Sequence, residues 1–345
     1  MKQHLINENS TIQEAIKRLD ELGLDAILFV HDENNFLLGS ISDGDVRRGL
    51  IVGKSLETKV AEIMCEAPRS LKIGDIDVSK LKNHRAEGLK LIPLIDEKNK
   101  IHEIMNFRIT KSILPINVLI MAGGKGSRLL PLTENTPKPM LKIGDKPILE
   151  HTIERLKLFS INEVTISVNY LSDVIKDYFG NGIDFGIKIN YIEETNRLGS
   201  IGALSLFNNP KHDITLVINS DILTTIDFED FYLDFIKNEA DFSAVGIPYT
   251  IDVPYGIFNL NKNIIEGVEE KPTFSYYSNG GIYLVKSSLI NLLPINKPFY
   301  ATDYISKLIN HNKKVISYFT LDYWLDIGSH ADYKKAMEDI KKIEQ

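Results

Sequence analysis

Apolar and polar positions near the start of the chain alternate in the patterns of helices and strands. Between residues 12 and 22 apolar side chains recur every three or four positions, which predicts an amphipathic helix. Thr11 and Glu14 stand at its start in the pattern of a capping box. Residues 27–41 have the pattern of a strand, a polar turn and a second strand, and residues 43–50 predict another short helix.

A second hairpin, residues 92–105, repeats the first one in a diverged form. Both turns read Asp-Glu-x-Asn, so that Asp32 corresponds to Asp96 and Asn35 to Asn99. Polar turns of this kind between apolar runs favour hairpins. The pattern predicts a helix–strand–strand–helix unit that occurs twice in tandem.

From residue 116 onward, short β-branched runs alternate with helical patterns. This alternation is typical of an α/β fold with a Rossmann-like, mainly parallel sheet, whose ligands bind at the carboxyl ends of strands. Residues 111–115 end in a proline and break the earlier pattern, so we predict one domain over 1–112 and another over 116–345. The predicted strands are Ile116–Met121, Val164–Val168, Ile187–Ile192 and Ile214–Ile218, and the predicted helices are Ile148–Leu158, Val174–Phe179, Ile201–Phe207 and Tyr333–Ile343.

Composition narrows the class of protein. The 345 residues are 43% hydrophobic and 25% charged, with a formal net charge of −7, which disfavours a nucleic-acid or anionic-membrane binder. Cys65 is the only cysteine, so neither an internal disulfide nor a cysteine-based zinc cage can form. The first residues lack the apolar core of a signal peptide, and no apolar run has membrane-spanning length. We therefore expect a cytoplasmic protein with no membrane or nucleic-acid partner.

A glycine-rich segment follows the first strand of the second domain. Ala122 is followed by Gly123, Gly124 and Gly126, and glycines at a strand end let backbone N–H groups approach phosphate oxygens. The segment is neither a Walker loop nor a full dinucleotide fingerprint, so a structural turn is the alternative interpretation. The cations near it are Lys125, Arg128 and Lys138. The combination suits a triphosphate.

Two carboxylates follow apolar runs far apart in the sequence. Asp221 follows the strand at 214–218, and Asp326 lies in a Trp-Leu-Asp-Ile-Gly segment. Each residue alone could equally serve as a turn or helix-cap residue.

The glycine segment is part of a longer motif, Ala-Gly-Gly-x-Gly-x-Arg-Leu-x-Pro-Leu-Thr, followed by Pro-Lys-Pro-Met. This motif resembles the signature of the sugar-1-phosphate nucleotidyltransferases, and the resemblance extends over 116–345. It implies a transfer of a nucleoside monophosphate from an NTP to a sugar 1-phosphate, with release of pyrophosphate. In that family, residues matching Gly123 and Gly124 approach the nucleotide, Arg128 steadies the phosphates, and Lys138 bridges the reacting phosphates. Asp221 and Asp326 would hold Mg²⁺.

The same resemblance implies an acceptor site. By their motifs, Glu270 of Glu-Lys-Pro would take sugar hydroxyls and Lys271 the sugar phosphate, while Asn279 and Gly280 would lie against the sugar ring. Without the other motifs, a Glu-Lys-Pro sequence is a common surface turn.

Residues 198–204, which include Gly199, lie at the position where members of this family have the segment that contacts the base. They are more similar to the guanylyltransferase segment than to that of uridylyl or thymidylyl enzymes. We expect GTP and glucosamine 1-phosphate as substrates, because the whole chain resembles guanylyltransferases of legionaminic acid pathways. The alternatives are mannose or heptose 1-phosphate with GTP, and glucose 1-phosphate with UTP, CTP or dTTP. A nucleotide sensor without turnover is the alternative from another class.

The first domain resembles a pair of CBS modules, about 1–58 and 59–112, which in that family often bind adenine nucleotides. The resemblance is carried by Gly-x-x-Ser-x-x-Asp, whose Ser42 and Asp45 would hold the ribose of AMP or ATP. The plainer interpretation is a helix cap. The second copy has Glu103, Asn106 and Ile109 at the corresponding positions, so one site is expected rather than two. Such pairs frequently self-associate, which suggests a homo-oligomer.

Overall fold

The chain divides into two units, Met1–Ile113 and Leu114–Gln345, in a computed structural model that describes residues 2–74 and 76–343. The strands and helices of the first unit are β1 (Leu5–Asn7), α1 (Ile12–Leu22), β2 (Ile27–His31), β3 (Leu37–Ser42), α2 (Asp43–Ile51), β4 (Leu71–Lys72), α3 (Val78–Ala86), β5 (Leu91–Ile95) and β6 (Ile101–Asn106).

The first unit contains the same small sheet twice. In each sheet a parallel pair is followed by an antiparallel hairpin, in the orders β1-β2-β3 and β4-β5-β6. Each hairpin has a register shift at the matching place, after Val30 and after Leu94. The internal repeat that the sequence predicts is therefore present in the backbone.

The two hairpin turns match in detail. Asp32 accepts a backbone N–H bond from Phe36 at 2.9 Å, and Asp96 accepts the equivalent bond from Lys100 at 2.9 Å. Asn35 and Asn99 both adopt left-handed backbone, with φ of 64° and 65°, which asparagine tolerates better than most residues. The two turns also join, because the N–H of Leu37 donates to Asn99 and that of Ile101 donates to Asn35.

One part of the predicted repeat is wrong. The first copy ends in helix α2, but β6 is followed by a turn at residues 107–109 and not by a helix. The N–H groups of Ile109 and Thr110 both donate to the carbonyl of Asn106, which closes a turn that goes no further. The second copy therefore lacks the closing helix of the first.

The second unit is an α/β structure. Its strands are β7 (Asn117–Ala122), β8 (Lys142–Ile143), β9 (Lys146–Pro147), β10 (Glu163–Val168), β11 (Lys188–Glu193), β12 (Ile214–Asn219), β13 (Ile222–Thr224), β14 (Phe242–Asp252), β15 (Ile257–Asn261), β16 (Ile264–Glu269), β17 (Thr273–Lys286), β18 (Val315–Phe319) and β19 (Trp324–Asp326). Its helices are α4 (Ile148–Lys157), α5 (Ser172–Phe179), α6 (Phe228–Lys237), α7 (Ala301–Asn310) and α8 (His330–Ile343).

A seven-stranded sheet forms the centre of this unit, in the order β11-β10-β7-β12-β17-β14-β18. Strands β11, β10, β7 and β12 run parallel, whereas β17 is antiparallel to both of its neighbours. Strand β7 is buried at all six positions, as expected for a strand covered on both faces. The prediction of a mainly parallel α/β sheet is confirmed, and the carboxyl ends of β7 and β12 lie side by side.

The helix predicted at 201–207 is instead a short 3₁₀ helix, Gly202–Leu206. The residues before it bond to a distant segment, because Phe299 donates its N–H to Leu198 at 2.9 Å and accepts one from Ile201 at 3.3 Å. The same segment also lies against the start of the 3₁₀ helix, since a Cβ on Gly202 would lie 2.9 Å from the Lys297 carbonyl oxygen. A tertiary contact has overridden the local apolar spacing.

The strands β14 and β17 continue past the sheet and lead into the hairpin β15–β16. Phe258 and Leu260 on β15 lie opposite Val268 and Ile265 on β16, and all four are more than half exposed. Within the described ranges, no helix combines the length and the apolar character that a membrane crossing requires.

Candidate active site

The glycine segment after β7 forms a tight turn, and its glycines differ in what surrounds them. Gly126 has a φ of 63°, and a Cβ on it would lie 2.9 Å from the Cβ of Lys138. The Thr133 hydroxyl donates to the Gly126 carbonyl at 2.9 Å and closes the turn. Gly124 faces open space, because a Cβ on it would meet no atom within 4 Å. Gly126 is therefore fixed by packing, while Gly124 leaves the backbone accessible to a ligand.

Three charged groups converge at the carboxyl end of β12. The Lys138 ammonium lies 2.5 Å from Asp221 Oδ2 and 3.5 Å from Asp326 Oδ1. The Lys138 side chain is only 9% exposed, and a buried charge is unfavourable unless it is paired. The two carboxylates therefore stabilise the charged form of Lys138. One cation thus stands between two anions that are far apart in the sequence.

A short strand pair brings the two carboxylates together. Strand β13 directly follows Asp221 and pairs antiparallel with β19, so that Ile222 lies opposite Asp326. The N–H of Ile327 donates to the Asp221 carbonyl at 3.0 Å. Helix α8 covers the pair, since Ala336 and Ile340 pack in one cluster with residues of both strands. The register of β13 and β19 therefore fixes the distance between the two acids.

The carboxylate pair has the donor set of a divalent cation site. Asp221 Oδ1 and Asp326 Oδ1 are buried and have no hydrogen-bond partner. Burial raises the pKa of Asp326, and the charge of Asp221 adds to the effect, although Lys138 and Arg128 oppose it. Two partly buried carboxylates that repel each other, each with an oxygen that accepts no hydrogen bond, suit Mg²⁺, which binds through oxygen ligands.

Arg128 lies on the outer side of this cluster. It is exposed, and one of its guanidinium nitrogens would lie 3.3 Å from a Cβ placed on Gly328. Gly328 is buried, and the same Cβ would lie 3.5 Å from Asp326 Oδ2. The glycine therefore leaves room for the guanidinium beside the carboxylate.

A cavity of about 280 Å³ opens between the glycine turn and the end of β12. Its walls include Gly123, Gly124, Lys138, Gly199 and Asp221. The structure therefore brings five of the sequence-predicted residues to one cavity. The predicted site residues of this unit outside the cavity wall are Ala122, Gly126, Arg128, Glu270, Lys271, Asn279, Gly280 and Asp326.

Gly199 has a structural reason to be glycine. Its φ is 78°, and a Cβ on it would lie 2.6 Å from the Phe299 carbonyl oxygen. The position therefore needs glycine for its own backbone and for the chain segment behind it. The close approach of a base to Gly199 stays a prediction, and the crowding that the structure shows there lies within the chain.

Glu194 is a cavity residue that the sequence motifs do not reveal. Its side chain is buried, with 6% of the residue exposed. Ser167 Oγ donates to Oε1 at 2.5 Å, and the N–H of Leu198 donates to Oε2 at 3.0 Å. A Cβ on Gly123 would lie 2.6 Å from Oε1, so the glycine turn makes room for this carboxylate. The one signal in the sequence is its place directly after β11, at the carboxyl edge of the parallel sheet.

Glu270 and Lys271 lie where β16 meets β17, and both are exposed. Lys271 has a φ of 47°, so the strand bends there. Glu270 faces Gly256 across the bend, since a Cβ on that glycine would lie 3.0 Å from Oε2 of the glutamate.

Asn279 and Gly280 lie at the point where β17 enters the central sheet. Asn279 Oδ1 accepts the N–H of Gly281 at 3.0 Å, and the Trp324 indole donates to the Gly280 carbonyl at 2.8 Å. Gly281, with φ of 68°, approaches Asn219 at the end of β12. Trp324 therefore ties the strand that carries Asp326 to this segment of β17.

In the first unit, Ser42 and Asp45 form the N-terminal capping box of α2. Asp45 Oδ2 accepts from the N–H of Ser42 at 2.8 Å and from its hydroxyl at 2.6 Å. Burial opposes ionisation of this carboxylate, but bonds from Ser42 and Arg48 lower the pKa of Asp45 overall. Both side chains already have a structural use in the absence of any ligand.

An α/β sheet whose carboxyl edge gathers a glycine turn, a buried lysine and two carboxylates defines a protein built to bind a phosphate-bearing ligand. Residues 117–343 match the family described as "Nucleotidyl transferase". This match covers well over half of the chain, which therefore belongs to the nucleotidyl transferase family.

Two relatives illustrate the similarity. The mannose-1-phosphate guanylyltransferase of Mycobacterium tuberculosis is 29% identical over 65% of this chain and 64% of its own length. The D-glycero-α-D-manno-heptose 1-phosphate guanylyltransferase of Aneurinibacillus thermoaerophilus is 29% identical over 66% of this chain and 99% of its own. This chain thus spans less than two thirds of the mannose enzyme that it matches.

Solved structures agree on the fold of the second unit. HddC from Yersinia pseudotuberculosis is 27% identical, with a TM-score of 0.53, over 65% of this chain and 99% of that chain. The same protein has been solved complexed with GMP-PN.

Proposed function

We propose that this chain is a sugar-1-phosphate nucleotidyltransferase, which converts an NTP and a sugar 1-phosphate into an NDP-sugar and pyrophosphate. The observation that carries the proposal is the convergence of Lys138, Asp221 and Asp326 beside the glycine turn. Family membership and the names of the relatives support the same reaction class.

The proposed chemistry is an in-line displacement at the α-phosphorus. An oxygen of the sugar phosphate forms the new bond to phosphorus, while the bond from the α-phosphorus to the bridging oxygen breaks and pyrophosphate departs. Lys138 neutralises charge on the reacting phosphates, and Arg128 steadies the departing pyrophosphate. Bound between Asp221 and Asp326, Mg²⁺ would supply the positive charge that offsets repulsion between the two anionic substrates.

GTP is the proposed nucleotide, and Glu194 is the main physical reason. Guanine presents a ring N–H and an amino group side by side, and a carboxylate accepts from both donors. Uracil and thymine place carbonyl oxygens on either side of their single N–H, which a carboxylate repels. Glu194 lines the cavity, and each of its oxygens already has one internal donor, which fixes its orientation.

Glucosamine 1-phosphate is the proposed acceptor, with Glu270, Lys271, Asn279 and Gly280 as the residues that would bind it. Mannose and heptose 1-phosphates are the second candidates, favoured by the substrates in the names of the two relatives. The three acceptors differ at the sugar and share the phosphate nucleophile, so the catalytic residues are the same for each.

The test is pyrophosphate release with Mg²⁺ across all common NTPs and a panel of sugar 1-phosphates. We expect one strong signal, with GTP, that Asp221→Ala abolishes and the exposed Asp184→Ala leaves unchanged. Release with another pair of substrates would keep the reaction class and replace the specificity. GTP binding without release from any acceptor would favour the non-catalytic sensor, whereas undiminished release by Asp221→Ala would overturn the catalytic role proposed for Asp221.

A further inference from the structure

Lys138 stands where a divalent cation would be bound. Its ammonium is 2.5 Å from one carboxylate and 3.5 Å from the other, and it is nearly buried. Asp221 Oδ1 has no hydrogen-bond partner, and Asp326 Oδ1 accepts no hydrogen bond although it faces the ammonium at 3.5 Å. A lysine supplies one charge and three donors, so it balances the pair only in part.

We propose that Lys138 acts as a substitute cation in the nucleotide-free chain, and that it must leave the carboxylates before they bind a divalent metal tightly. The inference rests on the proposed function for its metal and its nucleotide. An ammonium and a divalent ion cannot both approach Asp221 this closely without strong repulsion in a buried site. Metal affinity in the free chain is therefore set by the cost of displacing Lys138.

The cavity gives Lys138 another anionic partner. Lys138, Gly123 and Gly124 share its wall with Asp221, so phosphates placed against the glycine turn lie within reach of the same ammonium. Binding of a nucleotide would then draw Lys138 toward the phosphates and free the carboxylates. The consequence is an order of binding, in which the metal enters with the nucleotide or after it.

Lys125 provides a matched control in the same cavity. It also lines the wall, but its ammonium lies 5.8 Å from the centre of the Tyr170 ring. It forms neither of the ion pairs that Lys138 makes with the two aspartates. Removing Lys125 lowers the positive charge of the cavity without emptying the cation position.

The experiment measures Mn²⁺ binding to the full chain without nucleotide, from the electron paramagnetic resonance signal of free Mn²⁺. We expect weak binding by the wild type, binding at least about tenfold tighter by Lys138→Met, and a change below about twofold for Lys125→Met. Lys138→Arg keeps the cation and should remain weak. Asp221→Asn combined with Lys138→Met should lose the gained affinity.

Tighter Mn²⁺ binding by Lys138→Met alone would support the proposal. Equal affinities of wild type and Lys138→Met, or equal gains by both lysine variants, would overturn the proposal. Should Lys138→Met fail to fold, the wild type decides, because one Mn²⁺ bound with a Kd below about 10 µM without nucleotide, and lost in Asp221→Asn, is incompatible with an occupied cation position. Mn²⁺ binding uses no substrate, so it can succeed while pyrophosphate release fails, or the reverse.

Discussion

At the level of single residues, Glu194 offers the sharpest test of nucleotide choice. Replacing it by glutamine keeps the size of the side chain and exchanges one acceptor for a donor that faces the guanine donors. We expect Glu194→Gln to lower kcat/KM for GTP by about 10- to 100-fold, the worth of a charged hydrogen bond. Activity with UTP should fall less or rise. Steady-state kinetics with both nucleotides measures the ratio.

The neighbouring Glu193 serves as the control for that substitution. Its side chain is 71% exposed beside Lys176 and takes no part in the buried network of Glu194. Glu193→Gln should leave the preference between GTP and UTP unchanged. An unchanged preference in Glu194→Gln as well would show that this carboxylate does not select the base.

Gly199 permits a second prediction at the same scale. Alanine there would have to adopt left-handed backbone and would also collide with the Phe299 carbonyl, so we expect Gly199→Ala to lose at least about 2 kcal/mol of unfolding free energy. Gly186 has left-handed α backbone, with φ of 66° and ψ of 31°, but a Cβ on it would meet only the flexible end of the Lys157 side chain, at 3.3 Å. Gly186→Ala should cost only about 1 kcal/mol. Denaturant titration compares them, and equal losses would rule out the close approach.

At the level of elements, the start of β10 is held to its surroundings by charge. Glu163 accepts hydrogen bonds from Lys211, from Asn190 at 2.8 Å and from Lys188 at 3.2 Å. The bond from Lys211 contributes most to lowering the pKa of Glu163 to about 2. Because the folded-state pKa is depressed, the stabilisation is present above the ordinary value of 4.5 and is lost as the pH falls toward 2.

We therefore expect Glu163→Gln to lower the unfolding free energy by about 1 kcal/mol at pH 7, because the group is partly exposed and screened. The difference from wild type should shrink below pH 4.5 and vanish near pH 2. Denaturant titrations across that range measure it. Glu154→Gln, which removes an exposed pair with Lys146, should cost less than about 0.5 kcal/mol. A constant difference at every pH would contradict an ionic origin.

The elements also show which local patterns are reliable. The sequence predicts strand β7 within one residue, because a short run of β-branched residues bounded by proline and glycine has few alternatives. It predicts an α-helix at 201–207 where the structure has a 3₁₀ helix, because apolar spacing does not record how closely residues 297–299 approach Gly202. Helix α8 begins three residues before its predicted start at Tyr333 and continues to Ile343, the last residue that the structure describes.

The residues of the candidate site also differ in how far the sequence alone can predict their roles. Lys138, Asp221 and Asp326 could be assigned roles only through a motif resemblance, because their convergence depends on the pairing of β13 with β19. Glu194 carries no motif, and its burial depends on Gly123 from a different strand end. Residue type and spacing therefore indicate candidates, while long-range strand pairing determines which of them meet.

At the level of the whole molecule, the open question is what the first unit adds to the second. Its Ser42 and Asp45 carry the predicted ribose contacts, and in the structure they cap α2. We predict that AMP or ATP binds there. One carboxylate oxygen of Asp45 accepts a hydrogen bond from Ser42, and the other pairs with Arg48. Because Arg48 is exposed, phosphate or ribose groups of the nucleotide can displace it from Asp45. Isothermal titration of the full chain with each nucleotide measures the affinity.

The matched pair of variants is Asp45→Asn and Asp77→Asn. Asp77 caps α3 in the second repeat by accepting the N–H of Lys80 at 3.1 Å, without the ribose pattern. Asparagine keeps an acceptor oxygen and caps helices about as well as aspartate, so each substitution should cost less than about 1 kcal/mol. Only Asp45→Asn should weaken adenylate binding, by at least about tenfold. Equal weakening, or no heat with either nucleotide, would leave Asp45 a helix cap alone. If binding occurs, it can change pyrophosphate release only through unequal affinity for two conformations of the chain.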